Sequence, residues 1–323
     1  MSSKPTSQFY RRVFWSLYRI RKVEEEIIRL YPTDKIKSPV HLSIGQEAVS
    51  VAVCEPLKKT DSVFGTYRGH ALYLAKGGDL KKMWAELYGK ATGTGRGRSG
   101  SMHLADVEQG VVATSAVVAS TVPLAVGSAL SQQYFGKDDV TVCFLGDGAV
   151  DEGSVHEALL FASVKNVPVL FVCENNEYAI HSHHLDRHKN PNFIEDWAKS
   201  YGIKVQKFKT DDVVPLYDAT TEAVKSMRAG GGPVFFECYT SRWKEHVGPS
   251  DDFNLGYRTT EEVEQWKERD QLRIIGEKLS EKDRQKIQKE VDDEVAAAIE
   301  FAERSNFPTI DDLYIDNYEN SVH

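Results

Sequence analysis

The sequence predicts an α/β fold, a parallel sheet with helices on both faces and helical extensions at the two ends. Two observations carry this. Residues 140–145 and 169–173 are short, uninterrupted apolar runs, the mark of strands covered on both faces. Residues 155–164 and 213–227 have helical spacing and alternate with strand-like segments, and a strand–helix–strand order implies parallel pairing through right-handed crossovers.

The elements follow in order. Phe9, Val13, Leu17, Ile20, Ile27 and Leu30 form one apolar stripe and predict a helix over 8–30. A second helix is expected over 46–54, limited by Pro56, then a strand over 62–67. Residues 72–88 read as helical with a break at Gly77-Gly78, and 91–100, rich in Gly and Arg, as a loop. No charged residue occurs from Gln109 to Gly136, but Thr114, Ser115, Ser120, Thr121, Pro123 and Ser128 interrupt the stretch, which is too polar to span a membrane. The expectation there is a buried loop and helix at a core or subunit interface. Further on, 192–201 reads as helix, 203–208 and 234–239 as strands, and Ile287, Val291, Val295 and Ile299 as one face of a C-terminal helix. With no linker or internal repeat, one domain over 1–323 is expected, its helical extensions covering about 1–35 and 259–323.

The 323 residues carry 40 Lys and Arg against 48 Asp and Glu, a formal charge of -8, which argues against nucleic acid as the main partner. Cys54, Cys143, Cys173 and Cys238 include no Cys-x-x-Cys pair; buried, reduced thiols and a cytoplasmic location are the expectation. The first residues lack the apolar core of a signal peptide.

Chemistry concentrates between two predicted strands. The run 140–145 ends in Gly146-Asp147-Gly148, and 169–173 ends in Glu174-Asn175-Asn176-Glu177-Tyr178. Ligands of parallel sheets bind beyond the carboxyl ends of strands, so Asp147 and Asn176 should share a crevice. One carboxylate and one amide oxygen suit magnesium, which commonly shares its ligands with phosphates. Flanking glycines allow close approach, and a helix beginning near Asp151 would offer N–H groups to an anion. Alone, each motif is an ordinary turn; together, one strand–helix–strand unit apart, they are informative. Gly95-Arg96-Gly97-Arg98-Ser99-Gly100 matches Gly-x-Gly-x-x-Gly but follows a helical pattern rather than a strand, so it is no dinucleotide fingerprint. His181, His183, His184 and His188 could hold a transition metal or simply line a solvated or phosphate-facing loop.

The Asp147 and Asn176 motifs resemble the signature of thiamine-diphosphate enzymes. The chain is most similar to the α subunit of the E1 component of 2-oxo acid dehydrogenases (pyruvate, branched-chain, acetoin). The motifs that carry this run from His41-Leu42-Ser43-Ile44-Gly45-Gln46-Glu47-Ala48 through Thr66-Tyr67-Arg68-Gly69-His70, Ser99-Gly100-Ser101-Met102-His103 and Val122-Pro123-Leu124-Ala125-Val126-Gly127 to Asp311-Asp312-Leu313-Tyr314. The resemblance implies the thiamine-diphosphate-binding fold and the cofactors thiamine diphosphate and Mg2+. It implies Asp147, Asn176 and the Tyr178 carbonyl as metal ligands, Arg242, Tyr67 and Arg68 on the diphosphate, and backbone contacts from Gly148 and Ala149. The backbones of Ala116 and Val118 would meet the aminopyrimidine, and His41 and His246 would line the reaction space as catalytic residues. It further implies decarboxylation of a 2-oxo acid, acyl transfer to a lipoyl-bearing E2 acyltransferase, and an α2β2 assembly with an E1 β-type subunit. A two-chain carboligase or transketolase-like enzyme stays open, as does a non-catalytic subunit. The Arg242-Trp243-Lys244-Glu245-His246 stretch departs from the usual Tyr-Arg-x-x-Gly-His at Lys244 and Glu245. Val247 replaces the serine that is a regulatory phosphorylation site in mitochondrial pyruvate dehydrogenases.

Overall fold

The computed structural model describes residues 5–313; the outermost parts of both predicted extensions, 1–4 and 314–323, lie outside the described residues. The chain runs α1 (Ser7–Leu30), α2 (Glu47–Cys54), β1 (Ser62–Thr66), α3 (His70–Ala75), α4 (Leu80–Leu87), β2 (Val111–Ser115), α5 (Thr121–Tyr134) and β3 (Thr141–Gly146). It continues through α6 (Gly153–Lys165), β4 (Val169–Asn175), a hairpin of β5 (Tyr178–Ala179) and β6 (Ser182–His183), α7 (His184–Arg187), α8 (Phe193–Ser200), β7 (Lys204–Phe208), α9 (Val213–Arg228) and β8 (Val234–Tyr239). Helices α10 (Thr260–Lys267), α11 (Gln271–Gly276) and α12 (Glu281–Arg304) follow.

The main sheet has the order β2-β1-β3-β4-β8-β7, and every pair in it is parallel. Alternate residues of a strand point to opposite faces, and the core splits accordingly. Val142 and Phe144 of β3 join Leu170 and Val172 of β4 under α1, α2, α4, α9 and α12. Cys143, Leu145, Phe171 and Cys173 face the other way, under α5, α6 and α8. Burial on both faces is why these strands are continuous apolar runs. All four cysteines are buried and free. The N-terminal α1 and C-terminal α12 pack against one another and against this core.

Two expectations need correction. Residues 111–115 are not a buried loop but the edge strand β2, and the segment beyond it is not wholly buried: Val117, Val118, Leu124, Tyr134 and Phe135 are exposed. An edge strand as short as Val-Val-Ala-Thr-Ser has too few residues to show its period. The helix expected near Asp151 does begin there, at Gly153, after a 3-10 turn over Asp147–Asp151. The loop after Asn176 contains the hairpin and α7. Among the described residues no helix is long and apolar enough to cross a membrane.

The Gly-x-Gly-x-x-Gly string is a loop, and its amides are already committed. The buried Glu86 of α4 accepts from Gly95 N and Gly97 N through Oε2 (2.7 and 2.9 Å) and from Ser99 N and Gly100 N through Oε1 (2.7 and 2.9 Å). A carboxylate of the protein's own thus fills a nest that elsewhere receives a phosphate. Glu86→Ala should leave these amides without their acceptor and cost roughly 3–5 kcal/mol, read as a lowered urea midpoint. An unchanged midpoint would mean that water replaces the carboxylate.

Candidate active site

The order β2-β1-β3 places a topological switch point between β1 and β3, where connections leave to opposite sides and a crevice opens at the strand ends. A cavity of about 230 Å³ lies there, reached by Tyr67 and Arg68 after β1, by Asp147, Gly148 and Ala149 after β3, and by Glu174, Asn176 and Tyr178 at and beyond the end of β4. Because β3 and β4 are hydrogen-bonded neighbours, with Gly146 opposite Glu174, their ends deliver Asp147 and Asn176 to the same wall. Val117, Val118 and Ile180 supply apolar lining and His246 closes one side.

Tight backbone shapes the crevice. A Cβ on Gly148 would stand 2.8 Å from Ala179 Cβ, so only glycine lets the hairpin approach the 3-10 turn this closely. Ala119, Glu177 and Ile180 adopt positive φ (63, 67 and 56°) around the same space. For β-branched Ile180 that conformation is an outlier, and such strain collects at functional sites. Asn175 Oδ1 supports the turn by accepting from Glu177 N at 3.0 Å.

Asp147 is almost fully buried, and burial pushes its carboxyl up to about 6 although Arg187 partly opposes the shift. Arg187 Nη2 meets Asp147 Oδ2 at 2.5 Å and Nη1 meets Asp151 Oδ2 at 2.5 Å. That the pKa is nonetheless raised shows desolvation outweighing the ion pair. Burial likewise pushes Glu174 up to about 7, opposed by Arg68 and by a hydrogen bond from Gln46. Asn176 Oδ1 accepts from Tyr178 N at 3.2 Å, and its Nδ2 donates to Gln46 Oε1 at 2.9 Å.

His41 and His246 come together at 5.1 Å between ring centroids, with Tyr67 4.4 Å from His41 and 5.6 Å from His246. Burial and the Arg68 guanidinium push both imidazoles down to about 3, so both are neutral near pH 7. Arg68 donates to Leu42 O at 2.8 Å and His246 O at 3.2 Å, and makes a long 3.5 Å contact with His246 Nδ1. Arginine only donates, so this contact favours the His246 tautomer with its proton on Nε2. His41 Nδ1 is buried without a partner.

Arg242 stands apart from this group. It is fully buried and donates to Asp252 (2.8 Å), Tyr257 Oη (2.6 Å) and the carbonyls of Lys244 (2.6 Å) and Ile180 (3.1 Å). It thereby ties the loop holding His246 to the hairpin tip rather than facing the cavity. Ala116 lies between cavity-lining Ser115 and Val117. The four histidines do not gather at one point: His181 packs on Tyr257, His183 on Tyr178 and on buried His184, and His188 on Phe193 and Asp151. Among the described residues no His, Cys, Asp or Glu group of three or more is gathered to hold a metal.

Sequence reasoning missed Arg187 and Gln46. Arg187 had no signal, since an arginine in a polar loop reads as solvated. Gln46 had only its place beside Glu47 in an otherwise apolar stretch.

A parallel α/β sheet with a carboxylate and a carboxamide at adjacent strand ends defines a class of subunit able to present hard oxygen donors to a cation inside a cavity. Comparison with known proteins narrows the class. Residues 16–311 match the dehydrogenase E1 component family. The α subunit of acetoin:2,6-dichlorophenolindophenol oxidoreductase from Bacillus subtilis is 37% identical over 95% of this chain and 92% of its own. The pyruvate dehydrogenase E1 component α subunit of Rickettsia typhi is 35% identical over 98% and 97%. The chloroplastic α-3 subunit of Arabidopsis thaliana pyruvate dehydrogenase E1 is 35% identical over 89% and 69%. The chain belongs to the dehydrogenase E1 component family, as an E1 α-type subunit.

Proposed function

We propose that this chain is the α subunit of a thiamine-diphosphate- and Mg2+-dependent enzyme that decarboxylates a 2-oxo acid and passes on the acyl group. The observation that carries this is the pairing of Asp147 and Asn176 on one wall of the switch-point cavity. The donor set fits the cofactor: a buried carboxylate whose partner is a cation, a carboxamide oxygen, and the Gly148 backbone lining the same cavity.

Asp147, Asn176 and the Tyr178 carbonyl would hold Mg2+, and Gly148 and Ala149 would meet the diphosphate through their backbone. Tyr67 and Arg68 would grip that diphosphate from the β1 side. Arg242 would act from behind, fixing the hairpin through Ile180 O. The backbones of Ala116 and Val118 would hold the aminopyrimidine. When bound, thiamine diphosphate supplies the carbanion chemistry that removes carbon dioxide. His246, with its proton on Nε2, is placed to donate to a substrate oxygen, and neutral His41 beside it to accept a proton or steady the acyl group.

The cavity needs a second chain. Val117 and Val118 line its mouth yet are 66% and 44% exposed, and Leu124, Tyr134, Phe135, Leu160, Phe161 and Val164 extend exposed apolar surface along α5 and α6. That much exposed apolar surface marks an interaction site. An E1 β-type subunit in an α2β2 complex is the partner proposed, and a lipoyl-bearing E2 acyltransferase the acceptor. The unusual Lys244 and Glu245 serve the loop itself: Lys244 pairs with Asp251 at 3.0 Å and Glu245 accepts from Ser250 N at 2.9 Å.

The test is dye-linked turnover by the chain purified with its β-type partner, given Mg2+ and thiamine diphosphate. Pyruvate, branched-chain 2-oxo acids, 2-oxoglutarate and acetoin would be offered, the last because a relative's name carries it. Turnover of one 2-oxo acid is expected. A complex that leaves all of them untouched and forms hydroxyketones from aldehydes would replace this reading with a carboligase.

A further inference from the structure

An asparagine can serve a cation only through its oxygen, yet its amide is nearly symmetrical in shape. Something must decide which end faces the cavity. Asn176 donates Nδ2 to Gln46 Oε1 at 2.9 Å, which turns Oδ1 the other way. That oxygen accepts from Tyr178 N at 3.2 Å and keeps a second lone pair.

Gln46 is itself fixed. It is 2% exposed, precedes the first turn of α2, and donates its backbone N–H to Ser43 O at 2.8 Å. Glu174 stands on the same cavity. As the acceptor of the bond from Asn176, the Gln46 side-chain oxygen faces that amide. All three residues line the cavity.

Resting on the reading of Asn176 as a metal ligand, we infer that Gln46 is a positioning residue whose side-chain oxygen sets the Asn176 carboxamide with its oxygen toward the cation. Outer partners that orient a ligand typically change metal affinity 10–100-fold when removed.

The probe is Mn2+ in the presence of thiamine diphosphate, titrated by electron paramagnetic resonance into the full chain purified with its β-type partner. Gln46→Met keeps the length and removes the acceptor, so Mn2+ should bind about 10–100-fold more weakly. Asn176→Asp presents oxygen from either side, so orientation no longer matters. In that background the added Gln46→Met should cost no more than about twofold, the scale on which independent effects add. Gln46→Glu keeps the acceptor and serves if Gln46→Met does not fold; it should lie within about tenfold of the native complex. Native affinity in Gln46→Met overturns the inference, as does an equal loss with and without Asn176→Asp, which would show a packing defect, or a loss beyond tenfold in Gln46→Glu. A native complex that binds no Mn2+ with thiamine diphosphate defeats the functional reading itself and this inference with it.

Discussion

Asp147→Asn should abolish turnover and lower metal affinity by more than about 100-fold, since even an outer partner of a ligand is worth 10–100-fold. It should also make the metal-free chain more stable at pH 8. The second effect follows from burial. The Asp147 carboxyl ordinarily titrates at 3.8 and is pushed up to about 6, with Arg187 only partly compensating. A raised acid stabilises the fold relative to the unfolded chain below its unfolded pKa, and that contribution is lost as pH rises through the folded value. The loss therefore develops between about pH 4 and pH 6 and is complete above. A displacement from 3.8 to about 6 corresponds to roughly 3 kcal/mol. Asparagine removes the charge at nearly constant volume, and Arg187 keeps its contact with Asp151 at 2.5 Å. Urea unfolding of both proteins across this range, without metal, should show the native curve falling away from that of Asp147→Asn as pH rises. Parallel curves would mean that Arg187 fully offsets the desolvation. The chain thus accepts instability at the one carboxylate proposed for the cation, a common trade at functional sites.

How much of this was legible in the sequence depends on where each signal resides. Strands β3 and β4 were legible because burial on both faces forces every residue to be apolar, and their order fixed the place of Asp147 and Asn176. The N-terminal stripe was legible because one face of α1 is buried from Phe9 to Leu30. Strand β2 was not, because its partly exposed residues show no period. The hairpin was hidden because its turn uses Ile180 at positive φ, where local preference predicts glycine or asparagine. Arg187 reaches Asp147 across a long stretch of chain, and no local pattern records such a pair. Arg242 could be placed near the ligand only by resemblance, and its commitment to Asp252 and Tyr257 depends on how the following loop returns.

His41→Asn and His246→Asn should each lower kcat by about 10²–10⁴, the usual worth of a positioned acid or base, with thiamine diphosphate affinity changed far less. The pH profile separates this from a structural defect. Both imidazoles are pushed down to about 3 by burial and by Arg68, and each also lowers the other or sits beside a further histidine. They therefore stay neutral from about pH 5 upward, so neither gives a limb at the usual histidine value near 6.5. Any limb between pH 6 and 7 belongs to a group other than these two imidazoles, and it should persist in both histidine variants. A limb near 6.5 that disappears in His246→Asn would show that the imidazole titrates in the working range and that its role is different. Stability should respond with the opposite sign to Asp147. A histidine with a depressed folded pKa contributes stability above its unfolded value near 6.5, lost as pH falls toward 3. The metal-free chain should therefore be sensitive to acid, and each substitution should reduce that sensitivity. Neutrality is what the chemistry asks of a proton acceptor: a charged imidazole could not take up a proton, and burial beside the Arg68 guanidinium keeps both rings able to.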